Sequence, residues 1–275
     1  MRLIHSAFVA IVSTALIGCA STPPQMQAAR PASALTQSYG LAKIEAVGAT
    51  SHMQQPLDSD QSVIYFQNQG GGGAGLGLLL GPLGVLANVK MIQSVTDSDV
   101  AKLKGKLNVD PKAALQEAQL ATDSPLRIAA TPGDVKVSPF LLVSKTSETT
   151  LQVSSVIMFE GTEGQAKWNR RYQYQLPGKY TLEQLSTLSP ASLAQLQSAS
   201  VAAYAALLKH IAEEQPAAIA AERPVILKSA FISPRFELEM QGTLIGEKDQ
   251  RIWVRTIGSV IALDPSDIKY ELSKT

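Results

Sequence analysis

Met1-Arg2 opens an apolar run over residues 3–17 that ends beside Cys19, the sole cysteine of the 275 residues. No other feature limits the fold as much. A basic start, a short apolar stretch and no acidic residue before Glu45 describe an export signal. The run is too short, and wrongly flanked, for a stable membrane span. An exported chain with one thiol has no intrachain disulfide to rely on, even in an oxidising compartment. Its stability must come from apolar packing, for which a 45% apolar composition is adequate.

The residues at the end of the run carry more. Leu16-Ile17-Gly18-Cys19 resembles the lipobox of bacterial lipoproteins. The resemblance covers the leader and its junction only. It implies that the Cys19 thiol receives a diacylglycerol, that cleavage between Gly18 and Cys19 removes a signal peptide over 1–18, and that the freed amine is acylated. Ala20, standing where an aspartate would retain the protein in the inner membrane, implies an outer-membrane anchor facing the periplasm. Each buried methylene contributes about 0.8 kcal/mol and stable anchoring takes more than one chain, a condition three acyl chains meet. No cofactor is expected beyond these covalent groups. The alternative is a plain signal peptide with a chance cysteine.

Of the 24 basic residues one is Arg2 in the leader, so the chain beyond it balances against 23 acidic residues. Binding to nucleic acid needs a basic field, and none is present. Residues 19–38 are rich in Pro, Ala, Gln, Ser and Thr, with Arg30 the one charge. Such a segment reads as a flexible tether.

Residues 70–89 form an uncharged, glycine-rich apolar segment. Gly73, Gly77 and Gly81 recur every fourth residue and would line one helix face. That resembles the glycine-zipper segments of envelope proteins, where small residues let helices approach closely in lipid. Pro82 and the four leading glycines argue instead for a loop followed by a buried helix near Leu83–Met91. Both readings stay open. Gly70, Gly72 and Gly75 also fit a dinucleotide-binding spacing, with Asp97 beyond. The helix-breaking residues that follow count against it.

Further on, period-2 patterns predict strands over Leu41–Val47, Ser62–Gln67, Asp134–Lys145, Thr149–Phe159 and Gln165–Gln175, the last three joined by hairpin turns. Trp168, Arg170, Tyr172 and Tyr174 share one strand face, either a binding platform or, as is commoner, a core face. Helices are predicted from Asp97 or Ser98 to about Leu107, from Asp110-Pro111 to Ala121, and from Ser189-Pro190 to just before Pro216, each opening on a capping residue. Residues 215–224 read as a connection. The remainder alternates as short strands and tight turns, a layout that resembles a small SH3-like or Sm-like barrel. Arg251, Trp253 and Arg255 alternate on one strand there. They would suit partner contact on an exposed face, since Trp and Arg anchor interfaces; equally, Trp253 would cover the junction with the preceding body.

The expected architecture is α+β: an antiparallel meander packed with helices over 39–215, then a small β module over 223–275. Chemistry is scarce. His52 and His210 have no metal-ligand spacing, Asp58/Asp60 and Asp97/Asp99 lack a calcium loop, and Glu237/Glu239 share what reads as a solvent face. No nucleophile elbow or phosphate loop is present. The expectation is a non-enzymatic, lipid-anchored envelope protein with a binding, scaffolding or assembly role, using an envelope protein partner. The alternatives are a secretion or pore component working through residues 70–89, and a hydrolase acting on cell wall or lipid.

Overall fold

The computed structural model describes residues 25–43, 54–60, 62–67, 93–122, 124–234 and 238–273. Gly18 and Cys19, Gly73, Gly77 and Gly81, and His52 and Glu237 lie outside them. Four short strands come first: β1 (Tyr39–Leu41), β2 (Gln54–Pro56), β3 (Val63–Phe66) and β4 (Ile128–Ala129). The alternating runs in mid-chain then form the three longest strands, β5 (Val135–Lys145), β6 (Leu151–Glu163) and β7 (Ala166–Gln175). They pair as an antiparallel meander, as expected. The C-terminal strands are β8 (Arg223–Lys228), β9 (Met240–Lys248), β10 (Arg251–Arg255), β11 (Val260–Leu263) and β12 (Lys269–Leu272).

All twelve join one sheet in the order β12-β8-β9-β10-β11-β7-β6-β5-β1-β4, with β3 pairing β5 and β2 at the side. The architecture is α+β, but the sheet is mixed where a purely antiparallel one was expected. One edge of β5 takes β1 along its first half and β3 along its second, both parallel. A second parallel seam places β11 against β7, with Val260 opposite Tyr172. The C-terminal strands keep a core of their own, built from Val225, Leu227, Leu244, Ile252, Val254, Ile261 and Leu263. That core and the parallel seam explain how one module is both separately packed and continuous with the main sheet.

Helix α1 covers residues 93–103, so it starts ahead of Asp97 and Ser98, which lie inside it and do not cap it. Helices α2 (Pro111–Ala121) and α4 (Pro190–Glu213) begin where predicted. Asp110 accepts from the Lys112 and Ala113 amides and Ser189 from the Ser192 amide, with proline at the first helical position of each. A short α3 (Leu182–Ser186) precedes α4 and α5 (Pro216–Ala220) follows it, within what reads as a connection in the sequence.

Leu196, Ala203, Tyr204, Leu207 and Ile211 of α4 pack on the face of β5, β6 and β7 that bears Leu141, Leu151, Ile157, Phe159 and Tyr172. Trp168 and Tyr172 belong to this core, so the aromatic row of β7 is chiefly a packing face. Tyr204 is fully buried and donates to the Phe140 carbonyl at 3.1 Å, which satisfies its hydroxyl between sheet and helix.

Candidate functional site

Where α4 ends, four parts of the chain converge. The end of α4 supplies His210 and Glu214, the link between α5 and β8 supplies Glu222, β10 supplies Trp253 and Arg255, and the N-terminal segment supplies Gln27. Alternation along β10 sends Ile252 and Val254 into the module's own core and Arg251, Trp253 and Arg255 to the opposite face. That face is not open. Trp253 is 2% exposed and Arg255 1% exposed, because the end of α4 lies across them. Of the two sequence readings of this row, the covered junction is the one observed.

Arg255 is the centre. Its guanidinium donates from Nε to the two oxygens of Glu222 at 3.1 and 2.9 Å, and from Nη2 to Oε1 at 2.8 Å. Nη1 donates to Glu214 Oε1 at 2.9 Å and to the Gln27 carbonyl at 3.0 Å. Tyr172 donates its hydroxyl to the other Glu214 oxygen at 2.7 Å. Burial opposes the charge on Arg255, yet the two carboxylates together outweigh it and its pKa moves up. Burial first, and the Glu214 carboxylate second, hold the Tyr172 phenol well above its ordinary value.

His210 stacks on Trp253 with ring centroids 4.7 Å apart. Its Nε2 stands 3.9 Å from Glu214 and makes no hydrogen bond, and neither does the indole nitrogen of Trp253. Burial, reinforced by the positive charges of Arg255 and Lys248, lowers the His210 pKa to about 4. The ring is therefore neutral at ordinary pH. Arg251 stays nearer the surface, pairing with Asp264 at 2.9 Å and lying over the Tyr174 ring at 5.4 Å.

Gln27 is the correction to the expected tether. Its side-chain amide donates to the Arg171 carbonyl at 3.1 Å and accepts from the Arg171 amide at 2.9 Å, adding a rung to β7 short of where β11 pairs. Its own amide donates to the Thr256 carbonyl at 2.8 Å. Arg170 holds the Ala29 carbonyl, and Arg30 bonds both the Tyr39 hydroxyl and the Ile211 carbonyl. The segment from residue 25 to 38 is thus fixed to the body. Its composition is poor in apolar surface, but backbone and amide bonding to strand and turn edges replaces what packing does not supply.

A second hub ties the module to the far end of the main sheet. Asp267, in the turn before β12, accepts from Gln152 at 2.8 Å, Gln175 at 2.6 Å and Lys179 at 2.6 Å. At the same end lies a groove of about 610 Å³. On its floor Lys145 at the end of β5 pairs with Asp99 of α1 at 2.6 Å, and Tyr65 donates to the same carboxylate oxygen at 2.6 Å. Thr149, Thr181 and Glu183 form part of its rim.

The other described carboxylates weighed in the sequence have structural partners. Asp58 caps the amides of Ser62 and Val63, Asp60 pairs with Lys43, Gln55 donates to Asp97, and Glu239 pairs with Lys228. Among the described residues no three His, Cys, Asp or Glu side chains could hold a metal ion, and no helix is long and apolar enough to cross a membrane.

Sequence reasoning missed Gln27, Glu214 and Glu222. One signal was available for Glu214. Helix α4 ends in Glu213-Glu214, where the negative end of the helix dipole disfavours carboxylates, so those side chains needed cations from elsewhere. Lys248 meets Glu213 and Arg255 meets Glu214, each at 2.9 Å. Comparison with family models, with curated proteins and with solved structures returns no match.

Proposed function

We propose that the protein is an envelope lipoprotein, held to the outer membrane by acyl groups on Cys19, whose folded body binds another envelope component without catalysing a reaction. The observation that carries the anchor is Leu16-Ile17-Gly18-Cys19 after a basic-started apolar leader. A body that begins to bond its N-terminal segment at Gln27, eight residues beyond Cys19, suits a molecule worked from a fixed mooring. The strand order β12-β8-β9-β10-β11, with a 3-10 turn at Pro265–Asp267 before the last strand, supports reading the C-terminal module as SH3-like. The charged groups at the junction are bonded to one another, which favours a clasp over a proton-transfer site. Among the concave features open to a ligand is the groove above Lys145 and Asp99. Gly73, Gly77 and Gly81 belong to the competing pore-component reading.

The test is Cys19→Ser in the full-length chain. The expected product loses the acyl mass and no longer pellets with membranes, while cross-linking of the unaltered protein in membranes captures an envelope protein. Unchanged mass and unchanged pelleting would refute the anchor. A protein that yields no partner in membranes would count against the binding role.

A further inference from the structure

We infer that the outer edge of β12 pairs with β12 of a second copy, antiparallel and centred on Tyr270, so that the two sheets run on as one. Such self-pairing is separate from the binding of another envelope component. Among the described residues β12 ends the strand order, with β8 on one side only. Leu272 stands opposite Val225, and the next residue, Ser273, donates its amide to the Pro224 carbonyl at 2.9 Å. Backbone groups alternate in direction along an antiparallel ladder. Those of Lys269, Glu271 and Ser273 therefore turn toward β8, and those of Tyr270 and Leu272 turn away from it. Ile268, extended at φ −139° and ψ 137°, continues the outward set.

The side chains select the occupant. Lys269 and Glu271 are exposed and share one face of the strand. A short edge strand that bears charges repels most strands that could add to it. It accepts one that offers the opposite charges in reverse order, and β12 read antiparallel does so. About a two-fold axis at Tyr270, Lys269 of each copy lies directly opposite Glu271 of the other. Opposite charges so placed stabilise a strand pair, and like charges destabilise it. An ammonium has three donors, so a contact within its own chain does not exclude the one across the axis.

The other face of β12 is apolar. Ile268 and Tyr270 pack on the module's core, and Leu272 beside them is 51% exposed. In the pair Leu272 lies opposite Ile268 of the second copy, which extends that core across the axis. Tyr270 exchanges both backbone bonds with its own counterpart, and Leu272 does so with Ile268 of the second copy. So short a strand buries less than the ~1,000 Å² of an interface that is stable in dilute solution. The pairing therefore asks one thing of the Cys19 anchor, which is to concentrate copies on one surface.

The experiment uses the full-length acylated protein, mildly oxidised in vesicles of phosphatidylethanolamine and phosphatidylglycerol. With Cys19 acylated, Tyr270→Cys or Leu272→Cys supplies one thiol. Residues bonded across the axis have Cα atoms about 5.5 Å apart, within disulfide reach. The two copies of position 272 are offset by four residues, about 13 Å along the strand, which is beyond it. Tyr270→Cys is therefore expected to form a disulfide dimer and Leu272→Cys to stay monomeric. Adding Lys269→Glu to Tyr270→Cys sets like charges opposite each other and should lower the dimer yield roughly fivefold, and adding Glu271→Lys as well should restore it. No dimer from Tyr270→Cys, equal yields from the two thiols, or a loss that the exchanged charges do not restore overturns the pairing. Intact mass shows separately whether Cys19 is acylated. If it is not, the anchor reading falls, and the same comparison in a Cys19→Ser background at about millimolar protein in solution still decides the pairing.

Discussion

Replacing Arg255 with methionine removes the one cation that both Glu214 and Glu222 face. The three side chains are 1%, 2% and 5% exposed, so water does not step in for the lost guanidinium. Five hydrogen bonds disappear: three to Glu222, one to Glu214 and one to the Gln27 carbonyl. Breaking a buried ion pair from one side costs about 3–5 kcal/mol, because the partner charge stays behind. That is a large part of the roughly 5–15 kcal/mol that holds a typical domain. In urea unfolding followed by tryptophan fluorescence, Arg255→Met should lower the midpoint at an unchanged slope by that amount. Adding Glu214→Gln and Glu222→Gln removes the stranded charges, and the triple variant should recover most of the loss. A loss below about 1 kcal/mol for the single variant, or no recovery in the triple, would refute the account of Arg255 as the cation that holds both carboxylates.

Two more perturbations probe the same structure. His210 binds a proton less readily folded than unfolded, its pKa lowered to about 4 from the ordinary 6.5 by burial and then by Arg255 and Lys248. Stability from this group is complete above pH 6.5 and is lost as pH falls toward 4, on the order of 3 kcal/mol in all. His210→Gln should flatten that part of the pH–stability profile, and a profile of unchanged slope would refute the assignment. At Gly40 an added Cβ would lie 2.1 Å from the Gly133 nitrogen and 2.2 Å from the Thr131 carbonyl oxygen. Gly164, at φ 61° with open space around it, carries only the left-handed backbone penalty of about 1–2 kcal/mol. Thermal melting should therefore find Gly40→Ala clearly worse than Gly164→Ala, and equal losses would show that the β1 contact yields easily.

What the sequence made legible follows from local rules. Asp110-Pro111 and Ser189-Pro190 name their helices because cap and first turn are neighbours in the chain. β5, β6 and β7 are legible because alternation and tight turns are equally local. Strand β8 was not, because Pro224 reads as a breaker; in the sheet its ring occupies a ladder position and its carbonyl accepts from Ser273. Nor were the parallel seams, which depend on pairing between segments far apart. Arg255 illustrates the limit at the site. Its alternation with Ile252 and Val254 was correct, but a charged side chain on an alternating strand reads as solvent-facing. Only the carboxylates of Glu214 and Glu222, brought in by another helix and a connection, make its burial affordable.

The bond from Arg255 to the Gln27 carbonyl joins positions 228 apart in sequence. A contact between segments so far apart carries a loop-closure cost that local contacts do not. In a polypeptide that emerges N-terminus first, Gln27 is present long before Thr256 and Arg255. A copy truncated ahead of β10 lacks both Arg255 and Thr256, so its Gln27 keeps only the pairing with Arg171. The last-made strands thus complete the seat of the first described segment, and the chain's two ends are joined in one hydrogen-bonded unit.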